Sequence, residues 1–140
     1  MASFKFRLER VLKLRRTLEK QAKQVWGAQL ALLHESEQVL AQLQEMKADV
    51  VEFGQRQNDV GLRQAMYSYL AALNNRIDRQ IEVVKEQEKR TEEARQAWLK
   101  ARQETKKIDI LRDRAYARFI EEEQRKEQKE LDDMRSYVQE

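Results

Sequence analysis

Apolar residues recur at alternating intervals of four and three along most of this 140-residue chain, and no proline interrupts them. Counting in this way from Phe4 to Phe53 gives fifteen positions, of which twelve are apolar. This period is typical of the buried seam of a supercoiled α-helix. We therefore predict a first helix over residues 4–56. Its seam line comprises Phe4, Leu8, Val11, Arg15, Leu18, Ala22, Val25, Gln29, Leu32, Ser36, Val39, Leu43, Met46, Val50 and Phe53.

A second line with the same period predicts a helix over residues 62–138. Eleven of its sixteen positions are apolar. The line comprises Met66, Leu70, Leu73, Ile77, Gln80, Val84, Gln87, Thr91, Ala94, Trp98, Ala101, Thr105, Ile108, Arg112, Ala115 and Phe119. Between the two helices, residues 54–61 hold two of the three glycines together with Asn58 and Asp59. Glycine suits a helix C-cap, and Asn or Asp suits a turn or an N-cap.

The short break makes the helices antiparallel neighbours, so the predicted fold is all-α: a long two-helix antiparallel coiled-coil hairpin. It forms one domain over residues 1–140, with the hairpin tip at residues 54–61. Folding the chain about Asn58 aligns the polar interruptions of the two seams with each other, and such matched polar layers can fix register. This register pairs Ser36 with Gln80, Gln29 with Gln87, Leu18 with Trp98, Val39 with Ile77, Leu43 with Leu73, and Phe4 with Arg112.

In this register the second helix continues past the start of the first. Residues 113–140 are then expected to project without an intrachain partner, over ~40 Å at 1.5 Å per residue. Their apolar side chains would be exposed unless another chain covered them. These side chains are Tyr116, Phe119, Ile120, Leu131, Met134, Tyr137 and Val138.

The amino-acid composition excludes several classes of functional site. The chain has no cysteine and one histidine, which excludes a disulfide scaffold, a thiolate zinc site and any multi-histidine metal site. His34 and Glu37 have the spacing of half a metal site, but no second such unit exists, and we interpret His34 as an exposed helical residue. We expect no cofactor, no metal and no enzymatic activity. The longest apolar stretch, Leu30–Leu33, is too short to span a membrane, and a cytoplasmic location is the default.

Charge distinguishes the two ends of the predicted hairpin. Residues 1–24 carry eight basic and two acidic side chains, whereas residues 42–80, around the tip, carry five of each. The basic segment is interpreted either as a solvated face, as a protein-docking face, or as a site for anionic lipid or nucleic acid. The apolar residues at the tip are interpreted either as seam core or as a partner-binding patch.

Three stretches of the chain have a distinctive sequence. The first is the opening Phe4-Lys-Phe-Arg-Leu-Glu-Arg-Val-Leu-Lys-Leu-Arg15. The others are Tyr69-Leu70-x-x-Leu73-x-x-x-Ile77 and Glu127-x-Lys129-x-x-Asp132-Asp133. Together they resemble the flagellar export protein FliJ family. The resemblance covers essentially the whole chain. It implies a component of the bacterial flagellar type III export apparatus, and through it a role in flagellum biogenesis, motility and chemotaxis.

The resemblance also implies partners. Family members look like the central stalk of a rotary ATPase and contact the export ATPase hexamer, the cytoplasmic domain of the export gate and the export chaperones. We expect a cytoplasmic monomer at the inner face of the membrane, associated with the membrane only through partners and without nucleic acid. The expected ring-binding residues are Arg7, Arg10, Lys13, Arg16, Arg114, Arg118, Glu121, Glu122, Glu127, Lys129 and Asp132. The expected gate-binding residues are Leu43, Met46, Val50, Tyr69 and Leu73.

Three alternatives remain open at this point. The chain could be a basic coiled coil that binds membranes or nucleic acid, the equivalent stalk of a virulence type III secretion system, or a self-associating structural coiled coil.

Overall fold

A computed structural model describes residues 2–139 and shows two long helices packed against each other. Helix α1 is Glu9–Gln55 and helix α2 is Val60–Gln139. No strand occurs within the described residues. The predicted all-α helical hairpin is therefore confirmed. Neither helix has a stretch long and apolar enough to cross a membrane within residues 2–139.

The turn between the helices is closed by a side-chain cap. The Asp59 carboxylate accepts hydrogen bonds from the backbone N–H of Gly61, at 2.9 Å, and of Leu62, at 3.3 Å. This satisfies two donors of the first turn of α2, which confirms Asp59 as an N-cap residue. Gly54 lies within the last turn of α1 rather than beyond its end, and no described residue has a positive φ. The Met66 side chain packs against the bare backbone of Gly54, and its Cε is too close to leave room for a Cβ there.

The first helix begins five residues later than predicted. Residues 2–6 are not helical, and residues 7–8 form a turn. The Glu9 backbone N–H donates to the Phe6 carbonyl at 3.2 Å, and α1 starts there.

The chain divides into two compact units. The first unit comprises Met1–Gln21 and Leu99–Glu140, and its buried residues include Leu12 and Thr105. The second unit is Ala22–Trp98. At its centre Leu43, Leu73 and Ile77 form a buried cluster. Three half-buried residues pack around that cluster, namely Leu40, Val50 and Ile81.

The polar layers lie where the register predicts them, in the second unit. The Gln87 side-chain amide donates to the Gln29 side-chain oxygen at 2.7 Å. The buried Thr91 hydroxyl completes this layer and lies 2.8 Å from the Gln87 carbonyl. The Gln80 amide donates to the Ser36 carbonyl oxygen at 2.9 Å, while the Ser36 hydroxyl donates within its own helix. Both polar pairings are confirmed, and both rely on a glutamine of α2 reaching across to α1.

The seam of α2 is confirmed in full, because all sixteen predicted positions are buried or half-buried. The seam of α1 is correct at only one of its two positions in each heptad. The line through Leu8, Ala22 and Leu43 lies at the interface, whereas the other predicted line is exposed by 38–54% from Val11 to Phe53. The exposed positions are Val11, Leu18, Val25, Leu32, Val39, Met46 and Phe53. The interface instead uses the residue that follows most of these, as at Leu12, Trp26, Leu33 and Leu40, although Lys47, which follows Met46, is exposed.

Candidate functional site

The start of the chain folds back onto α2 through an aromatic cluster, within the first unit. The Phe4 ring lies 5.2 Å from the Tyr116 ring in an edge-to-face arrangement and 5.5 Å from the Phe119 ring. The Arg112 guanidinium lies 5.6 Å from the centre of the Phe4 ring, in cation–π geometry. The predicted pairing of Phe4 with Arg112 is confirmed. The predicted absence of an intrachain partner beyond Arg112 is corrected as far as Phe119.

The reason for this correction is the register at this end of the hairpin, where Glu9 pairs with Arg112, whereas the predicted register sets Glu9 opposite Lys107. Phe119 and Ile120 are half-buried. The remaining apolar residues of the projecting segment are exposed, as expected. Leu131, Met134 and Val138 are 54%, 65% and 81% exposed. An aromatic face therefore ends near residue 120, and an exposed apolar face resumes at Leu131.

Two ion pairs join α1 to α2 in the first unit. Arg112 Nε lies 3.1 Å from a Glu9 carboxylate oxygen, and Arg16 lies 3.0 Å from Asp109. Arg16, predicted as a ring-binding residue, thus contributes to the hairpin itself. The other predicted basic residues of this segment, Arg7, Arg10 and Lys13, are exposed. Together these residues give the start of α1 a basic surface.

Arg15 adds to that basic surface from a half-buried position. Its Nε is buried and has no hydrogen-bond partner. The pKa of the Glu104 carboxyl is lowered, first by a hydrogen bond from Lys107 and by the charge of that ammonium, then by the charges of Arg15 and Lys100. Glu104 is therefore a stable anion in a strongly basic surrounding.

The predicted ring-binding residues of α2 lie along its exposed C-terminal part. All seven are exposed. Glu121 pairs with Arg125 at 2.9 Å, and Asp132 accepts a hydrogen bond from Gln128 at 3.0 Å. The seven are Arg114, Arg118, Glu121, Glu122, Glu127, Lys129 and Asp132. We call these residues, together with Arg7, Arg10, Lys13 and Arg16, the terminal surface.

The five predicted gate-binding residues lie near the hairpin tip in the second unit, but they differ in access. Leu43 and Leu73 are only 5% and 1% exposed, so their side chains are core and are not available at the surface. Val50 is half-buried. Met46 and Tyr69 are 38% and 44% exposed and offer apolar surface.

An apolar groove adjoins these residues, and sequence reasoning missed it. The groove encloses about 190 Å³ and lies between the end of α1 and the start of α2. Gly54 forms part of its floor, because the absence of a side chain there admits Met66. Its lining residues are Val50, Val51, Gly54, Gln55, Arg63, Met66, Tyr67 and Leu70. We call Met46, Tyr69 and this groove the tip surface.

The rings of Trp26 and Trp98 also escaped prediction as a pair. They stack in the second unit with centroids 5.1 Å apart. The signal available in the sequence was that these are the two tryptophans of the chain. His34 lies on the surface, 3.1 Å from the Gln38 amide, and no cluster of potential metal ligands occurs among residues 2–139.

Two long helices packed against each other as a hairpin place the chain in the class of helical coiled-coil proteins. The chain belongs to the flagellar FliJ protein family, whose sequence profile matches residues 4–139. The predicted family resemblance is thereby confirmed. Membership makes the chain a component of the type III protein export apparatus.

A solved structure shows the same fold. It is that of a Chlamydia trachomatis protein assigned as a YscO homolog, which superposes with a TM-score of 0.71 at 20% sequence identity. The match covers 97% of this chain and 95% of the Chlamydia protein. No curated protein sequence matches the chain.

Proposed function

We propose that this chain is a non-enzymatic, stalk-like coiled coil of the flagellar type III export apparatus. It binds the export ATPase ring, promotes ring assembly and hydrolysis, and links the ring to the export gate and to substrate chaperones. The observation that carries the proposal is the family match over residues 4–139 together with the helical hairpin. Within the cell it works in the cytoplasm, at the inner face of the membrane and through its partners.

The terminal surface is the part of the chain that we assign to the ring. Its basic start and its mixed-charge C-terminal helix are exposed and belong to one compact unit. A charged, elongated surface suits the polar lumen of a ring, because charge complementarity steers encounter and orients the bound partner. Arg7 and Arg10 are the clearest contributors, since neither takes part in the two ion pairs between the helices.

Titration into the purified ATPase tests this assignment. The wild-type chain is expected to increase ring assembly, measured by sedimentation velocity, and hydrolysis, measured by phosphate release. Arg7→Glu combined with Arg10→Glu should weaken both effects. Lys47→Glu combined with Lys89→Glu is the matched control, because it changes the net charge equally on exposed residues of the second unit. An unchanged oligomeric state of the ATPase at saturating wild-type chain would contradict the proposal.

The tip surface is the part that we assign to the cytoplasmic domain of the export gate. Tyr69, Met46 and the groove provide exposed aromatic and thioether groups, which are favoured in protein-binding patches. Leu43 and Leu73 support this surface from within the core. Their role in gate binding is then indirect, through the fold of the tip.

A binding assay with the isolated gate domain tests the tip. Met46→Ser combined with Tyr69→Ser should weaken gate binding and leave stimulation of the ATPase unchanged. Val25→Ser combined with Leu32→Ser is the matched control, because both residues are exposed on α1 away from the groove. Equal losses in the gate and ATPase assays would refute the division of roles between the two surfaces.

The proposed mechanism is coupling without chemistry at the stalk. A single asymmetric hairpin inside a ring contacts the subunits unequally. Differential contact biases the conformational equilibria of the subunits and hence their nucleotide states. The ring performs the hydrolysis, and the hairpin conveys its state to the gate.

Two alternatives make different predictions. A lipid- or nucleic-acid-binding chain would use the basic start of α1, and its affinity would fall steeply with salt. Here Phe4 packs against α2, and Arg16 is paired with Asp109, which leaves fewer groups for such a ligand. Vesicle co-sedimentation and filter binding at two salt concentrations distinguish these cases. A stalk of a virulence secretion system would use the same helical hairpin, and complementation of a flagellar deletion distinguishes the two.

A further inference from the structure

Two short exposed apolar stripes in the first unit have the same spacing. Val11, Leu14 and Leu18 lie at intervals of three and four on α1 and are 38%, 57% and 41% exposed. The second stripe lies on α2, begins at Leu131 and has the same intervals between its residues. Both stripes match the a/d pattern through which two helices pair. The second stripe consists of Leu131, Met134 and Val138.

The two stripes cannot meet within one chain. Arg112 of α2 contacts Glu9 at the start of α1, and α2 continues as a helix to Gln139. Leu131 therefore lies ~28 Å farther along α2 than Arg112, at 1.5 Å per residue. Any helix that covers the second stripe must come from another molecule.

Charge identifies that molecule. Residues 5–20 carry seven basic and two acidic side chains, while residues 121–133 carry seven acidic and three basic ones. When Val11 is set level with Leu131, Leu14 is level with Met134 and Leu18 with Val138. The preceding layer of the same alignment sets Arg7 opposite Glu127. One chain thus contains both halves of a complementary pair, and the partner that supplies the missing half is a second copy.

The pairing is reciprocal, because each copy supplies both segments. The two segments run parallel in this alignment, so α2 of one copy runs antiparallel to α2 of the other. The Arg112–Glu9 contact places Val11 close to residue 110 of its own α2. Leu131 of the other copy then lies level with residue 110, which puts the two-fold axis near Ile120. The same surfaces are used by both copies, as a two-fold interface requires.

We propose that the isolated chain forms a two-fold dimer in which the C-terminal stripe of each copy packs on the α1 stripe of the other. This revises the expectation of a monomer for the chain on its own. The dimer occupies Arg7 and Glu127 of the terminal surface. The relation between the dimer and the ring rests on the proposed function. Because the same residues would bind the ring, dimer formation and ring binding exclude each other, and the dimer is the form of the chain that is not bound to the ring.

Sedimentation equilibrium on the full chain, without any ATPase, tests the dimer. The wild-type chain should show a concentration-dependent monomer–dimer equilibrium that weakens with salt. Leu131→Glu combined with Met134→Glu should give a monomer with unchanged helix content, because both side chains are exposed. Tyr137→Glu is the matched control, since Tyr137 is exposed but lies off the stripe. A wild-type monomer at every concentration, or a dimer that survives both substitutions in the stripe, would overturn the proposal.

A charge exchange tests the register. Glu127→Arg should weaken the dimer by about tenfold, because it places two cations in one layer. Adding Arg7→Glu should restore the wild-type dissociation constant.

The absence of cysteine permits a second test with two single variants, Val11→Cys and Leu131→Cys, one of them mass-tagged. Their mixture should form a mixed disulfide, whereas Val25→Cys mixed with Leu131→Cys should not. Failure of both the rescue and the selective disulfide would reject this register, whether or not the ATPase responds to the chain.

Discussion

The indole rings of Trp26 and Trp98 stack with centroids 5.1 Å apart and 19° between their planes. Trp26 belongs to α1 and Trp98 to α2, so this contact joins the two helices within the second unit. Offset-stacked aromatic pairs contribute about 0.5–1.5 kcal/mol beyond the area they bury. The pair is therefore a local determinant of how the helices align.

A double-mutant cycle measures this contribution. Trp26→Leu and Trp98→Leu keep an apolar layer but remove ring stacking, and the coupling free energy between them should be about 0.5–1.5 kcal/mol. Urea unfolding followed by helix circular dichroism gives the four stabilities. Trp26→Leu combined with Leu73→Met is the control pair, since Leu73 lies in the separate buried cluster and should show no coupling. Additive losses at the two tryptophans would show that the stack contributes only through burial.

The polar layer at Gln87 gives a second prediction. Gln29→Leu removes one acceptor of the buried Gln87 amide, which keeps the Gln29 backbone carbonyl at 3.2 Å, and it should cost about 0.5–1.5 kcal/mol. Replacing both glutamines by leucine should recover this loss or exceed it, because an apolar layer needs no compensating hydrogen bond. Urea unfolding measures the stabilities. A double variant less stable than both single variants would show that packing, rather than hydrogen bonding, dominates this layer.

The seam of α2 was predictable because its polar members are the ones that pair. Gln80 and Gln87 both reach across to α1, so a line that contains them is still an interface line. The register at these two layers followed from aligning the polar positions, whereas the predicted pairing of Leu18 with Trp98 is wrong, because Leu18 is exposed and Trp98 stacks on Trp26. Few large apolar residues of α2 lie next to its seam positions, so only one phase of the heptad pattern fits the apolar residues of this helix.

The seam of α1 was only half predictable because two adjacent lines are both rich in apolar residues. The exposed line from Val11 to Phe53 is apolar at every heptad, whereas the line of residues that follows it includes Glu19, Gly54 and the exposed Lys47. Counting apolar residues therefore favours the wrong line. Contact between Trp26 and Trp98 selects the true one, and a sequence period contains no information about which residue of α2 lies opposite.

Neither surface was fully predictable, for related reasons. The burial of Leu73 depends on the packing of both helices, so an apolar residue near the tip cannot be assigned to the core or the surface from α2 alone. The groove depends on the close approach of Met66 to Gly54. The aromatic cluster at Phe4 depends on where α1 begins, and helix ends are the least regular part of a helix.

The contact of Phe4 with α2 predicts a local effect. Phe4→Ala removes the ring that touches Tyr116 and Phe119, and hydrogen exchange of residues 113–120 should accelerate because this part of α2 loses a covering aromatic ring. Exchange around the Leu43–Leu73 cluster should not change. Lys5→Ala is the control, since Lys5 is exposed. Equal exchange in the two variants would show that α2 is stable here without the aromatic cluster.

The surroundings of Glu104 predict a dependence on pH. The pKa of this carboxyl is lowered by the hydrogen bond from Lys107 and by that charge, with further contributions from Arg15 and Lys100. A pKa lower in the folded than in the unfolded state adds stability that is present above the unfolded value and lost as pH falls through the folded one. Glu104→Gln should therefore lower the free energy of unfolding at neutral pH. It should also make the loss of stability between neutral and acidic pH smaller than in the wild type. Thermal unfolding between neutral and acidic pH measures this, with Glu88→Gln as the exposed control. Parallel pH profiles of wild type and Glu104→Gln would contradict the assignment.

Burial at the tip predicts which substitutions can report on binding. Leu73 is 1% exposed in the cluster with Leu43, and Leu73→Ala should lower the free energy of unfolding by about 2–5 kcal/mol, since it leaves a cavity. Tyr69→Ser, at a residue 44% exposed, should cost much less. Urea unfolding gives the stability of both variants. Binding of the gate domain is then measured without urea, at a temperature at which both variants are folded, so that a loss of binding is not caused by unfolding. Weaker binding by Tyr69→Ser than by folded Leu73→Ala supports direct contact at the surface, and the reverse order would show that the shape of the tip, not its exposed side chains, is what the gate recognises.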